Sequence, residues 1–217
     1  MLHYETVEPG TLALLKRLMG IDALKDFALV GGTALSLRYG HRISVDLDLF
    51  TDGELNADAI RTALTDEFGD DFIYEEDQQA RWAVFCFIHG VKVDLVKLPH
   101  ARIADLVVED GIRMYSDADI GPMKIEAILH RAQKKDFWDI EQLLRAHGLQ
   151  NLLDNHRRKY PRNTIMIGIP RALGYFDDAE ESEDPKSLNG LSWPEVKRSI
   201  GRIVNSFLLF LTLGIAL

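Results

Sequence analysis

The stretch Phe27 to Phe50, FALVGGTALSLRYGHRISVDLDLF, decides how the rest of the chain is read. Phe27 to Val30 is a short apolar run that predicts a strand, and it stops at Gly31-Gly32, where bare backbone can turn sharply and let a ligand come close. A helix follows, with Thr33 expected as its cap and Gly40 as its stop signal. A helix opening on two glycines offers free N–H groups and the positive end of its dipole, a setting that suits phosphate. From Ile43 to Phe50 the apolar residues Ile43, Val45, Leu47 and Leu49 alternate with Ser44, Asp46 and Asp48, which predicts a second strand with one packed and one acidic face. Asp46 and Asp48 would then point the same way, about 7 Å apart, and repel each other unless a cation lies between them.

Working outward, Pro9-Gly10 leads into a helix with Leu12, Leu14, Leu15 and Leu18 at helical spacing. Beyond the acids, Asp52-Gly53 turns the chain, Asn56 is placed to cap a helix that runs to about Phe68, and Gly69 ends it. Phe72 to Tyr74 and Trp82 to Ile88 read as strands, and His89-Gly90 reverses the chain into Val91 to Leu98. That last strand carries Asp94 between Val93 and Leu95. An acid inside an apolar strand is costly unless paired or bound to metal, so Asp94 is either the third ligand beside Asp46 and Asp48 or a residue at a sheet edge facing water.

After the turn signal Asp110-Gly111 the sequence becomes helical, through MKIEAILHRAQKKDFWDIEQLLRAHG. On one straight helix Lys124, Arg131 and Lys135 form a polar stripe with Asp139 nearby, but Lys124 and Asp139 would stand about 22 Å apart. For the two to meet, the helix must break near Gln133 to Lys135; otherwise the stripe is a solvated face with ion pairs. Farther on, Asp177 to Gly190 is acidic and turn-rich and predicts a mobile loop. Ser192 to Glu195 reads as a capping box with proline in the first turn, so a last helix should start there.

Composition limits the functional classes. The 217 residues, 47% of them hydrophobic, suffice for one large domain or two small ones. A net charge of -9 argues against a protein that coats nucleic acid nonspecifically. The single cysteine, Cys86, lies in an apolar run and reads as a buried thiol in a reducing compartment. The N-terminus carries no basic region followed by an apolar core, which fits a cytoplasmic protein. Phe207 to Leu217, FLLFLTLGIAL, is too short to span a bilayer and is expected to be a buried final helix, with a membrane-surface anchor or a self-association face as the competing readings.

Taken together, GGTALSLRYGHRISVDLDLF, the strand acid Asp94 and MKIEAILHRAQKKDFWDI resemble the AbiEii-type nucleotidyltransferase toxins of the polymerase-beta-like superfamily. YFDDAE at Tyr175 to Glu180 and SWPEVK at Ser192 to Lys197 are similar to C-terminal sequences of the same family. The fold implied is α/β (α+β): a small mixed-sheet core over residues 1–115 and a mainly helical half over residues 116–217. The reaction implied is transfer of a nucleoside monophosphate from a nucleoside triphosphate to an acceptor hydroxyl.

On that resemblance Asp46, Asp48 and Asp94 hold Mg2+ or Mn2+, Gly31 and Gly32 receive phosphates, and Lys124 neutralises triphosphate charge. Asp139 orients the sugar, the base or that lysine. His41, Arg42 and Ser44 adjoin the acids, and Arg42 either touches phosphate or pairs with Asp46 or Asp48. The superfamily often has serine after the first glycine; this chain has Gly32, so that contact is missing or falls to Thr33. The acceptor implied is an RNA, such as a transfer RNA 3′ end, in a toxin restrained by an antitoxin. A nonenzymatic GTP-binding module and an aminoglycoside-like small-molecule transferase are the alternatives. HRRKYPR, His156 to Arg162, gathers four cations around a tyrosine and is the candidate RNA contact, or else a solvated helix end.

Overall fold

The computed structural model describes residues 1–74, 81–162 and 168–213. The chain divides into two compact units, Met1–Ser116 and Asp117–Leu217.

In the first unit a seven-stranded mixed sheet runs in the order β3-β4-β5-β2-β1-β7-β6. Its strands are β1 (Ala28–Leu29), β2 (Leu47–Thr51), β3 (Phe72–Tyr74), β4 (Ala83–Ile88), β5 (Val91–Lys97), β6 (Val107–Glu109) and β7 (Ile112–Met114). The helices are α1 (Pro9–Gly20), α2 (Gly31–Tyr39) and α3 (Ala57–Phe68). Each follows from the local signals. Pro9 opens α1 in its first turn, and the Asn56 side chain accepts from the Ala59 N–H at 3.1 Å to cap α3. Gly40 ends α2 in the left-handed region at φ +67. At the β4–β5 hairpin His89 and Gly90 both have positive φ, 51 and 76, as a tight reversal requires.

The sequence did not reveal the β6–β7 hairpin, which turns at Asp110 (φ 50) and Gly111 (φ 77). Its strands are three residues each, too short to show a period of two. Arg113 fixes this hairpin by donating to three backbone carbonyls, those of Phe27, Met19 and Leu24, at 3.0, 3.0 and 3.1 Å. Desolvation lowers its guanidinium pKa from the ordinary value.

Two expectations fail in the central stretch. The second strand begins at Leu47, not Ile43, and Val45 is 58% exposed instead of packed. Thr33 does not cap α2; Val30 occupies the cap position, no side chain caps the helix, and the Thr33 hydroxyl instead donates to the Asp46 carbonyl. The hydroxyls of Thr33 and Ser44 lie 2.9 Å apart, and the Ser44 N–H donates to the Thr6 carbonyl at 2.9 Å. These bonds hold 43–46 as an irregular segment, so its backbone groups are satisfied by side chains and loops in place of a sheet ladder.

In the second unit the helices are α4 (Asp117–His130), α5 (Lys134–His147), α6 (Leu149–Lys159), α7 (Ile169–Leu173) and α8 (Trp193–Leu213). The capping box forms as expected: Glu195 Oε2 accepts the Ser192 N–H at 2.8 Å. Trp193 sits in an aromatic cluster with Trp138 (centroids 5.7 Å apart, stacked), Phe137 and Phe176. The acidic segment after Phe176 forms no strand, but it is anchored. Ala179 is fully buried, and Glu180 accepts from Trp193 Nε1 at 3.0 Å and Lys197 Nζ at 2.5 Å. The motifs YFDDAE and SWPEVK thus meet around one indole.

The expectation of a buried last helix holds only up to Phe207, which is 8% exposed. Leu209, Leu211 and Leu213 are 62%, 62% and 68% exposed. Among the described residues no helix is long and apolar enough to cross a membrane; residues 214–217 of the tail lie outside them.

Candidate active site

Sheet register sets the acids of the first unit. β2 and β5 run parallel with Asp48 directly opposite Asp94, which puts their Cα atoms about 4.8 Å apart with both side chains on one face. On the opposite face Leu47, Leu49, Val93 and Leu95 are fully buried, which fixes which way the acids point. Asp46 precedes the strand in the segment tied down by Thr33.

The Lys92 ammonium, two residues before Asp94 on the same strand face, lies 2.5 Å from Asp94 Oδ2. Burial, the largest single influence, pulls the Lys92 pKa down, but the Asp94 hydrogen bond and the charges of Asp94, Asp48 and Asp46 outweigh it and raise the pKa. One ammonium therefore feels all three carboxylates. The other Asp94 oxygen, Oδ1, is buried and has no hydrogen-bond partner. Such an orphaned acceptor is costly, and a bound cation would satisfy it.

The glycine turn lies against these acids. Gly31 has φ +69, and a Cβ built on it would stand 2.6 Å from Asp48 Oδ2, so the Asp48 carboxylate occupies the space a side chain would fill. Asp48 thus sits at the uncapped start of α2, beside the N–H groups of that first turn. Of the neighbours, Thr33, Ser44, His41 and Arg42 are all buried. The hydroxyls of Thr33 and Ser44 face inward, and Arg42 Nη1 donates to the Ile43 carbonyl at 3.0 Å. Among the described residues no three acidic, histidine or cysteine side chains stand close enough to share one ion as placed.

In the second unit the break between α4 and α5 lets Lys124 and Asp139 meet. α4 ends at His130, Ala132 takes a positive φ of 43, and Gln133 occupies the position before α5 without a side-chain cap. Lys124 Nζ lies 2.7 Å from Asp139 Oδ2 and 3.0 Å from Asp136 Oδ1. Asp136 also takes two bonds from Arg131, each 3.1 Å. Desolvation pushes the Asp136 pKa up, but Lys124 and Arg131 outweigh it, and the carboxyl is held below its ordinary range. Sequence reasoning missed Asp136, although its i, i+3 spacing from Asp139 was a signal that both acids share a face of α5.

The basic run on α6 needs correction as a surface patch. His156 and Lys159 point inward: His156 Nε2 lies 2.6 Å from Glu126, and Lys159 Nζ lies 2.7 Å from Asp119 in a fully buried pair. Arg157 is exposed but pairs with Asp154 at 3.1 Å. Fewer charges than the four counted from sequence are therefore offered to a ligand.

Comparison with known proteins gives the family and the fold. The model of the family described as "Nucleotidyl transferase AbiEii toxin, Type IV TA system" matches residues 13–192. The chain belongs to the AbiEii nucleotidyltransferase toxin family. An uncharacterised protein of Aquifex aeolicus (strain VF5), aq_aa25, is 32% identical over 206 residues, spanning 89% of this chain and 94% of its own. Among solved structures JHP933 from Helicobacter pylori is 16% identical with a TM-score of 0.54, covering 96% of each chain. A second H. pylori structure, provisionally assigned as a nucleotidyltransferase, is 16% identical with a TM-score of 0.56 and covers 97% of this chain and all of its own (100%). At that identity these two speak for the fold alone. Family membership makes this AbiEii protein a nucleotidyltransferase with a nucleoside triphosphate as substrate.

Proposed function

We propose that the chain is a divalent-metal-dependent toxin of the cytoplasm that moves a nucleoside monophosphate from its triphosphate to the 3′ hydroxyl of an RNA, a transfer RNA end being the leading acceptor, under restraint by an antitoxin. The observation that carries this reading is the side-by-side register of Asp48 and Asp94 next to Gly31. The donor set suits Mg2+ or Mn2+, which prefer hard carboxylate oxygens, and the partnerless Asp94 Oδ1 fits such an ion. Asp46, Asp48 and Asp94 would hold it, once Asp94 is released from Lys92. The ion would supply Lewis-acid stabilisation of charge on the triphosphate.

The protein's own groups do the rest. Gly31 and Gly32, at the start of α2, admit the phosphates to free N–H groups. Asp94 receives the proton of the acceptor hydroxyl as its oxygen bonds to the α-phosphorus and the bond to pyrophosphate breaks. From the family resemblance alone we assign Lys124 the role of neutralising triphosphate charge; within its own unit its ammonium is held by Asp139 at 2.7 Å and by Asp136 at 3.0 Å. Arg42 serves as a buried charge beside the acids.

The test is incubation with each labelled triphosphate, Mg2+ and total RNA, for the wild type and for Asp48→Asn. Label should appear in RNA and fall by at least about a hundredfold in the variant. Equal transfer by the variant would refute the assignment of the acids, and label in protein or a small molecule would refute the RNA acceptor. Separately, Mg2+ should raise the melting temperature of the wild type more than that of Asp48→Asn.

A further inference from the structure

The sheet face that carries the acids continues past them. In β4, Phe85 lies opposite Asp94 and Phe87 lies opposite Lys92; in β3, Ile73 lies opposite Phe87. Residues paired across strands share a face, so one surface carries Asp48, Asp94 and Phe85 in one row and Lys92, Phe87 and Ile73 in the next. The alternate residues Val84, Cys86 and Ile88 are buried on the other face. Phe87 is 42% exposed and Ile73 59%, which is unusual for large apolar side chains within a sheet beside a cluster of charge.

The order of strands gives this surface a direction. The glycine turn follows β1, Asp48 is on β2, Asp94 on β5, and the aromatic rings on β4, which is also the spatial order of those strands. If the triphosphate takes the glycine turn, its leaving pyrophosphate lies on the β1 side of the acids. In-line attack then brings the acceptor from the β4 side. On that side stand the rings of Phe85 and Phe87, with the Lys92 ammonium beside Asp94 on β5. That combination matches a nucleotide at the end of a single strand, whose base offers a π-face and whose phosphate offers negative charge.

We infer that Phe85 and Phe87 form the stacking platform for the terminal bases of a single-stranded RNA acceptor, with Lys92 meeting its backbone phosphate. This rests on the transferase reading above, and it names the acceptor subsite. By turning to the phosphate, Lys92 leaves Asp94 free to act on the acceptor hydroxyl.

The probe is a fluorescein-labelled single-stranded oligoribonucleotide of about eight nucleotides, within the usual span of such sites, followed by anisotropy in parallel with calorimetric titration of nonhydrolysable triphosphate analogues. Phe87→Ala should weaken oligonucleotide binding about tenfold, as loss of one stacked base does, and leave triphosphate affinity unchanged. Phe87→Trp should restore binding. Lys92→Ala should weaken it and reduce the slope of log affinity against log salt by about 0.7. Binding of the oligonucleotide by Phe87→Ala at wild-type strength would overturn the platform, as would equal affinity of the wild type for a blunt duplex. A parallel loss of triphosphate affinity would overturn it too, since the rings would then hold the base of the incoming nucleotide. Failure of the transferase reading is distinct: Asp48→Asn would transfer label as well as the wild type, whatever the oligonucleotide does.

Discussion

Lys124 Nζ stands 2.7 Å from Asp139 Oδ2 although the two residues lie on different helices, and only the reversal at Ala132 makes the distance possible. The ammonium is shared with Asp136, so one cation of low exposure balances two fully buried carboxylates, with Arg131 assisting from outside. Lys124→Met would leave Asp139 short of its cation. Breaking a buried pair from one side costs about 3–5 kcal/mol, and urea denaturation should register a loss in that range. Asp139→Asn keeps the Lys124–Asp136 bond and should cost less.

The same cluster sets an acid limit. The folded-state pKa of Asp136 lies below its unfolded value of about 3.9, so its contribution to stability is complete above that pH and is lost as pH falls through the folded value. Acid titration followed by circular dichroism should therefore show a steeper loss of stability below about pH 4 in the wild type than in Asp136→Asn.

At the alkaline end Cys86 acts. Burial first, and the charge of Asp94 second, push its thiol pKa up to about 12. The folded protein keeps the proton that the unfolded chain releases near pH 8.5, so stability declines as pH rises from about 8.5 towards the folded value. Native protein at pH 8 should resist iodoacetamide and react only when unfolded.

The last helix should divide energetically at Phe207. Phe207→Ala removes a buried ring and should cost about 3 kcal/mol, whereas Leu209→Glu and Leu213→Glu alter exposed positions and should stay within about 0.5 kcal/mol. Thermal melts of the three variants check this. Retained stability with higher solubility in the glutamate variants is the expected pattern.

The parts of the fold legible in the sequence were those governed by local rules. Asn56, Gly69, Gly40 and the Ser192–Glu195 box mark their helix ends because a cap depends on residues within a turn of it. His89-Gly90 marks its hairpin for the same reason. The sequence leaves the pairing of Asp48 with Asp94 open, because the register of two strands joined by a long connection is a tertiary property. Ile43 to Asp46 misled: its alternation is that of a strand, but bonds from Thr33 and to Thr6 replace the ladder. The inward turn of Lys159 was likewise hidden, since its partner Asp119 lies on another helix.

Gly31 has a consequence for heredity. Any side chain there is strained by φ +69 and strikes the Asp48 carboxylate. Every amino acid that one base change can make from a glycine codon carries a Cβ, so every missense neighbour of this codon puts an atom against the Asp48 carboxylate. In a cell poisoned by this protein, survivors that have kept a full-length, folded toxin should carry changes at this codon repeatedly. A single position without a side chain would then be a place where the toxin is readily disarmed by chance.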